Sequence, residues 1–192
     1  MISLEERCKR LPELYSPESI KKRFAAVTKP SQCVQIGRNG EPCLLAMARQ
    51  SESAKVQLNA TICLHLVALD RFLHMRNPLC SEEIEFIADQ IISEYGAITF
   101  ADLNIFFNRI KSGKYGKLYE RLSAPDILTW LGQYYDERMD AAEQMSINEA
   151  RTIYGSPSPR TRQTKSQADV DKDNEFFKFR ETLKQNGYKP IE

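Results

Sequence analysis

Arg109, Lys111, Lys114, Lys117 and Arg121 recur every two to four residues, with Tyr115 and Tyr119 between them and Glu120 as the single acid in the run. Cations at this density pair with phosphates, and tyrosine rings stack on unpaired bases. Gly113 and Gly116 allow the backbone to come close to a phosphate. The residues marked as a nucleic-acid contact are therefore Arg109, Lys111, Lys114, Tyr115, Lys117 and Arg121. The same segment also fits a purely structural turn. In that case Gly113 ends a helix, Gly116 reverses the chain, and Tyr115, Leu118, Tyr119 and Leu122 pack it onto its neighbours. GKYGK is not a phosphate-binding P-loop, because the spacing GxxxxGK followed by Ser or Thr is absent.

Other chemistry finds less support. The five cysteines, Cys8, Cys33, Cys43, Cys63 and Cys80, form no CxxC pair and read as reduced, mostly buried side chains. Cys63 and His65 would point about 200° apart on a helix, so they cannot share a metal ion. His65 fits a hydrogen-bonded core histidine. Glu82 and Glu85 lack the second, ExxH-like motif that a carboxylate metal site needs. No GxSxG, no Rossmann glycine pattern and no Cys–His or Ser–His arrangement occurs. The expectation is a non-enzymatic protein with no catalytic residue, no metal and no cofactor.

Composition narrows the partners. The chain has 192 residues, with 27 basic against 26 acidic side chains, so any nucleic-acid footprint must be local. No uninterrupted apolar run reaches the roughly 20 residues that cross a bilayer, and no membrane partner is expected. The charged N-terminus lacks the apolar stretch of a secretory signal, which makes a cytoplasmic location the expectation.

The elements that would position the basic segment read as helices. Residues 3–11 have helical spacing at Leu4, Cys8 and Leu11. Ser16-Pro17-Glu18 is a helix start for about residues 17–27, with Lys21, Lys22 and Arg23 on one side. Residues 28–42 carry two prolines, two glycines and an Asn39-Gly40 step. Cys33–Ile36 alternates, so a small β-hairpin with Leu44–Met47 is one reading, and a helical turn over 43–49 is the other. A long helix from Ser53 to about Met75 has a broad apolar face that includes Val56, Ala60, Cys63, Leu64, Val67 and Phe72. Its segment Ile62–Leu69 is apolar almost all round apart from His65, which predicts a central, heavily buried element. Ser81 restarts a helix whose polar side holds Glu82, Glu83, Glu85, Asp89 and Glu94, ending at Tyr95-Gly96. Thr99…Asp102 and Ser123…Asp126 are capping boxes that open the helices on either side of the basic turn.

After Tyr154 the composition shifts to Ser-Pro steps and charge. This predicts a domain over 1–155, a disordered linker over 156–173 and a short amphipathic helix over 174–192. Phe176, Phe177, Phe179 and Leu183 would give that helix an apolar face for a protein partner.

Residues 42–139 resemble a family of small helical proteins of unknown function from Bacteroidetes genomes, phages and mobile elements. The likeness rests on Pro42–Ala46, Leu69–Phe72, Glu94–Gly96, Leu103 with Phe106-Phe107, Lys111–Tyr119, and Ile127–Trp130 with Tyr134 and Arg138. The resemblance implies no catalytic residues. Its setting suggests an accessory role in DNA replication or maintenance, with DNA as a partner. The rival expectation is a protein-interaction module with no nucleic-acid contact. The expected fold class is all-α: an irregular bundle of about five to seven helices with a flexible C-terminal tail.

Overall fold

The structure is a computed structural model that describes residues 3–116 and 121–154. The fold is all-α, as expected. Among the described residues the elements are α1 (Leu4–Lys9), α2 (Leu11–Leu14), α3 (Pro17–Arg23), α4 (Pro30–Arg38), α5 (Leu44–Ala48), α6 (Glu52–Leu73), α7 (Ser81–Glu94), α8 (Phe100–Lys111) and α9 (Ala124–Tyr154). The chain divides into two compact units, Met1–Ile147 and Asn148–Glu192. Of the second, the described part is the end of α9, where Thr152 Oγ1 donates to the Asn148 carbonyl. The expected linker 156–173, and the amphipathic helix with Phe176, Phe177, Phe179 and Leu183, lie outside the described residues.

Side chains fix most of the helix starts. Ser3, Ser16 and Ser51 each accept from a backbone N–H three residues on, satisfying a donor that the helix leaves open. Thr99 and Asp102 form a reciprocal box: the Asp102 carboxylate accepts from the Thr99 N–H at 2.8 Å, and Thr99 Oγ1 accepts from the Asp102 N–H at 3.4 Å. Ser123 and Asp126 bond at 2.6 Å at the start of α9. α6 ends at His74, which takes a left-handed conformation with φ 50° ahead of Asn77-Pro78.

α6 is the centre of the first unit and packs against α1, α2, α3, α5, α7 and α8. Leu58, Ile62, Leu66 and Leu69 are fully buried along its inner side. Ile87, Ala88 and Ile91 of α7 and Leu103, Phe106 and Ile110 of α8 belong to the same core. By length and composition α6 is also apolar enough to cross a membrane.

Three expectations need correction. The alternating stretch Cys33–Ile36 is not a strand: it lies in α4, and of the two readings for the following residues the helical turn over 43–49 holds, as α5, so there is no hairpin. Pro30 opens α4, and Gln32 Oε1 accepts from the Thr28 and Lys29 N–H groups at 2.9 and 3.0 Å. That local cap, together with the burial of Cys33 and Val34, outweighs a four-residue alternation. The helix expected over 17–27 ends at Arg23, with a turn closed by the Val27 N–H on the Phe24 carbonyl. The segment Ile62–Leu69 of α6 is not buried all round, since Leu64 is 50% exposed.

Gly96 also works differently from a simple helix stop. Its φ is not positive, so left-handed freedom is not the reason for it. A Cβ there would lie 2.5 Å from the Ile92 carbonyl oxygen and 2.9 Å from Leu45 Cβ. The missing side chain lets α5 approach, and the Leu45 and Leu44 N–H groups donate to the Gly96 and Ile98 carbonyls at 2.8 and 2.9 Å.

Candidate functional site

The basic segment does not present one surface. Arg109, in the last turn of α8, reaches Glu137 of α9 at 2.7 Å, and Lys114 reaches the same carboxylate at 3.1 Å. Burial alone would raise the Glu137 carboxyl, but the bonds from these two cations outweigh it and hold it below the usual range. The Arg109 guanidinium also lies 5.1 Å from the Tyr134 ring centroid. Arg121 pairs with Glu83 of α7, whose other role is to accept from the Cys80 N–H at the start of that helix. Three of the expected phosphate-binding cations are thus matched by two acids more than 15 residues away in sequence.

Tyr115 is committed to packing. Its ring stacks on Trp130 at 5.6 Å with planes 10° apart, and Phe106 meets it at 5.9 Å. Burial pushes its phenol pKa up. Gly113 and Gly116 both have positive φ, 75° and 115°, as the turn requires. Lys117 lies outside the described residues.

Lys111 takes a different direction. Its ammonium lies 5.3 Å from the Phe72 ring centroid and forms no ion pair among the described residues. Burial, and then the charge of Lys21 on α3, lowers its pKa. Lys21 and Lys111 border a small cavity of about 40 Å³, also lined by His65, Asn104, Asn108 and Phe107.

Two buried polar clusters were not visible in the sequence. Asp102 closes the cap of α8 with Oδ2, while Oδ1 accepts from the Tyr134 hydroxyl at 2.8 Å and from Arg138 Nε at 3.0 Å. The Tyr134 hydroxyl and the Cys33 thiol are both pushed well above their usual range, mainly by burial and then by the charge of Asp102. Glu41 is buried and accepts from Arg7 at 2.8 Å and Arg23 at 2.6 Å, with Arg23 also packed over the Tyr15 and Phe24 rings. Both clusters tie segments distant in sequence together through buried ion pairs.

His65 is buried with Nε2 2.7 Å from the Tyr15 carbonyl. A carbonyl only accepts, so Nε2 carries the hydrogen and the ring is neutral at pH 7. Among the described residues no group of three or more His, Cys, Asp or Glu side chains is arranged to hold a metal ion.

The solvent side of α6 carries the largest unexplained feature. Val56, Ala60 and Leu64 lie one helical turn apart on an exposed face, with the half-buried Cys63 and Val67 beside them. Between α6 and α7 a shallow cavity of about 230 Å³ is lined by Val56 with Glu52, Lys55, Asn59 and Asp89. On α7, Phe86 is 52% exposed, and Glu82, Glu85, Asp89 and Glu94 stand in solvent. A segment that is apolar almost all round, as Ile62–Leu69 is, does not reveal by periodicity which side faces outward.

Fold and site together define an all-α protein with one long core helix and an acid-flanked apolar outer stripe. The chain belongs to a family of unknown function (DUF6633), whose model matches residues 81–183, more than half of the sequence. No curated protein and no solved structure matches it significantly.

Proposed function

We propose that this protein is a non-enzymatic binding module that docks a protein partner on the outer side of α6. The observation that carries the proposal is the stripe Val56–Ala60–Leu64, apolar and exposed where a surface helix would ordinarily be polar. The partner's chemistry follows from the surroundings. Glu52 and Asp89, with the single base Lys55, line the cavity beside Val56, and Glu85 is exposed on α7, so an amphipathic helix with apolar residues at i, i+3 or i+4 and basic neighbours fits the stripe. A photo-crosslinking side chain placed at Leu64 tests this in the protein's own cell extract. A discrete crosslinked species that disappears when Val56→Glu is added supports docking. Labelling at Leu64 no stronger than at the exposed Lys29 rules it out.

A second reading keeps nucleic acid as a partner, in the replication or maintenance setting that the resemblance to phage and mobile-element proteins suggests. It is favoured by Lys111, the one described cation of the turn that no acid neutralises. DNA binding, single-stranded and duplex, measured against salt concentration tests it. Affinity should fall steeply with salt, and Lys111→Ala should flatten that slope by about one counterion. Lys114→Ala should change it less, because Glu137 already holds that ammonium. No binding at low salt would remove this reading.

A further inference from the structure

Lys21 and Lys111 come from different helices, α3 and α8, yet border one cavity. Neither makes an ion pair among the described residues, and no acid lines the cavity. Lys21 is exposed and Lys111 half-buried; the other half-buried cations among the described residues are answered, Arg7 by Glu41, Arg109 by Glu137 and Arg138 by Asp102. The two lysines repel each other, and Lys111 is in addition partly withdrawn from water against Phe72 and Phe107. The remaining polar lining is amide: Asn104, whose Nδ2 donates to the Phe24 carbonyl at 3.4 Å, and the exposed Asn108. His65 adds no charge at pH 7.

We infer that the cavity between α3 and α8 is an anion site that takes one phosphate group, held by the Lys21 and Lys111 ammonium groups with the Asn108 amide at the mouth. The size argues for a single group. The cavity measures about 40 Å³ on a scale where one water needs roughly 10–15 Å³, so it holds about three waters. A phosphate fits that space and a nucleobase does not. An anion there would relieve the lysine–lysine repulsion and replace the water lost from Lys111, which favours a multiply charged ligand over chloride. The inference concerns one phosphate group and is narrower than the nucleic-acid reading above; it does not depend on it.

Titration of the full chain with inorganic phosphate, followed by calorimetry or amide NMR at constant ionic strength, tests the assignment. Saturable binding is expected, with Lys21→Gln and Lys111→Gln each weakening affinity about tenfold or more. Lys111→Arg should retain binding, and Lys114→Gln should leave it unchanged. A response no different from that to chloride, or an affinity unaltered by Lys111→Gln, overturns the site. Thymidine tetranucleotides with and without a 5′-phosphate then separate the sources. Displacement of the ion by the phosphorylated form alone identifies a phosphate monoester end, and displacement by neither identifies the free ion. DNA binding by a chain that shows no saturable binding of inorganic phosphate would uphold the nucleic-acid reading while failing this one, so the two fail separately.

Discussion

Asp102 Oδ1 lies 3.0 Å from Arg138 Nε, joining the first turn of α8 to the middle of α9 across 36 residues of sequence. The carboxylate is fully buried and also serves the cap of its own helix and the Tyr134 hydroxyl. Asp102→Ala would strand a guanidinium and a phenol in the interior. The expected loss is about 3–5 kcal/mol, against about 1–2 kcal/mol for Tyr134→Phe. Urea unfolding at unchanged m-value measures both. A loss under about 1 kcal/mol for Asp102→Ala would mean that the cluster is hydrated rather than buried.

Gly96 and Gly37 offer a paired comparison. A Cβ at Gly96 would collide with backbone and with Leu45, whereas at Gly37, inside α4, the nearest atom is Thr99 Cγ2 at 3.8 Å. Gly96→Ala is therefore expected to destabilise by about 1–3 kcal/mol. Gly37→Ala should stabilise by about 0.5–1 kcal/mol through helix propensity and a less flexible unfolded chain. Thermal melts of the two variants should shift in opposite directions.

His65 gives a pH signature. Burial lowers its pKa to about 4, against an unfolded value near 6.5. Between those values the unfolded chain binds the extra proton, so stability rises with pH through the window and is fully present above about pH 6.5. The span corresponds to on the order of 3 kcal/mol. Denaturation of wild type and His65→Gln between pH 4 and pH 7 isolates it. The wild-type curve should be steeper, and parallel curves would exclude the histidine as the cause.

The two sides of α6 should respond differently to substitution. Leu66 is fully buried, and Leu66→Ala is expected to cost about 2–5 kcal/mol. Leu64 is half exposed, and Leu64→Glu should leave stability within about 0.5 kcal/mol of wild type while abolishing partner docking. A large stability loss from Leu64→Glu would show that the stripe is packed rather than free.

Helix starts were legible at Ser16-Pro17, Thr99…Asp102 and Ser123…Asp126, where a local side chain sets them. All of these signals act within one turn. Cys33–Ile36 misled because alternation over four residues is compatible with a helix once a cap and burial are added. The charge balance of the basic turn was not legible for another reason. Its density is local, but its neutralisation comes from Glu83 and Glu137, which only the tertiary fold brings near. Asp102 was legible as a cap and not as the partner of Arg138, because a capping box says nothing about the carboxylate's second oxygen. Lys111 was marked correctly as a cation, while its pairing with Lys21 depends on how α3 crosses α8.

The close approach of α5 to Gly96 bears on what the family boundary means. Residues 81–183 carry the family match, yet the Gly96 and Ile98 carbonyls accept from the Leu45 and Leu44 N–H groups, respectively, upstream of that region. α6, also upstream, covers the inner sides of α7 and α8. A fragment cut at Ser81 would lose the wall against which its own helices are built. The described part of the family segment therefore shares its core with residues upstream of it. Expression trials are best served by keeping the chain whole.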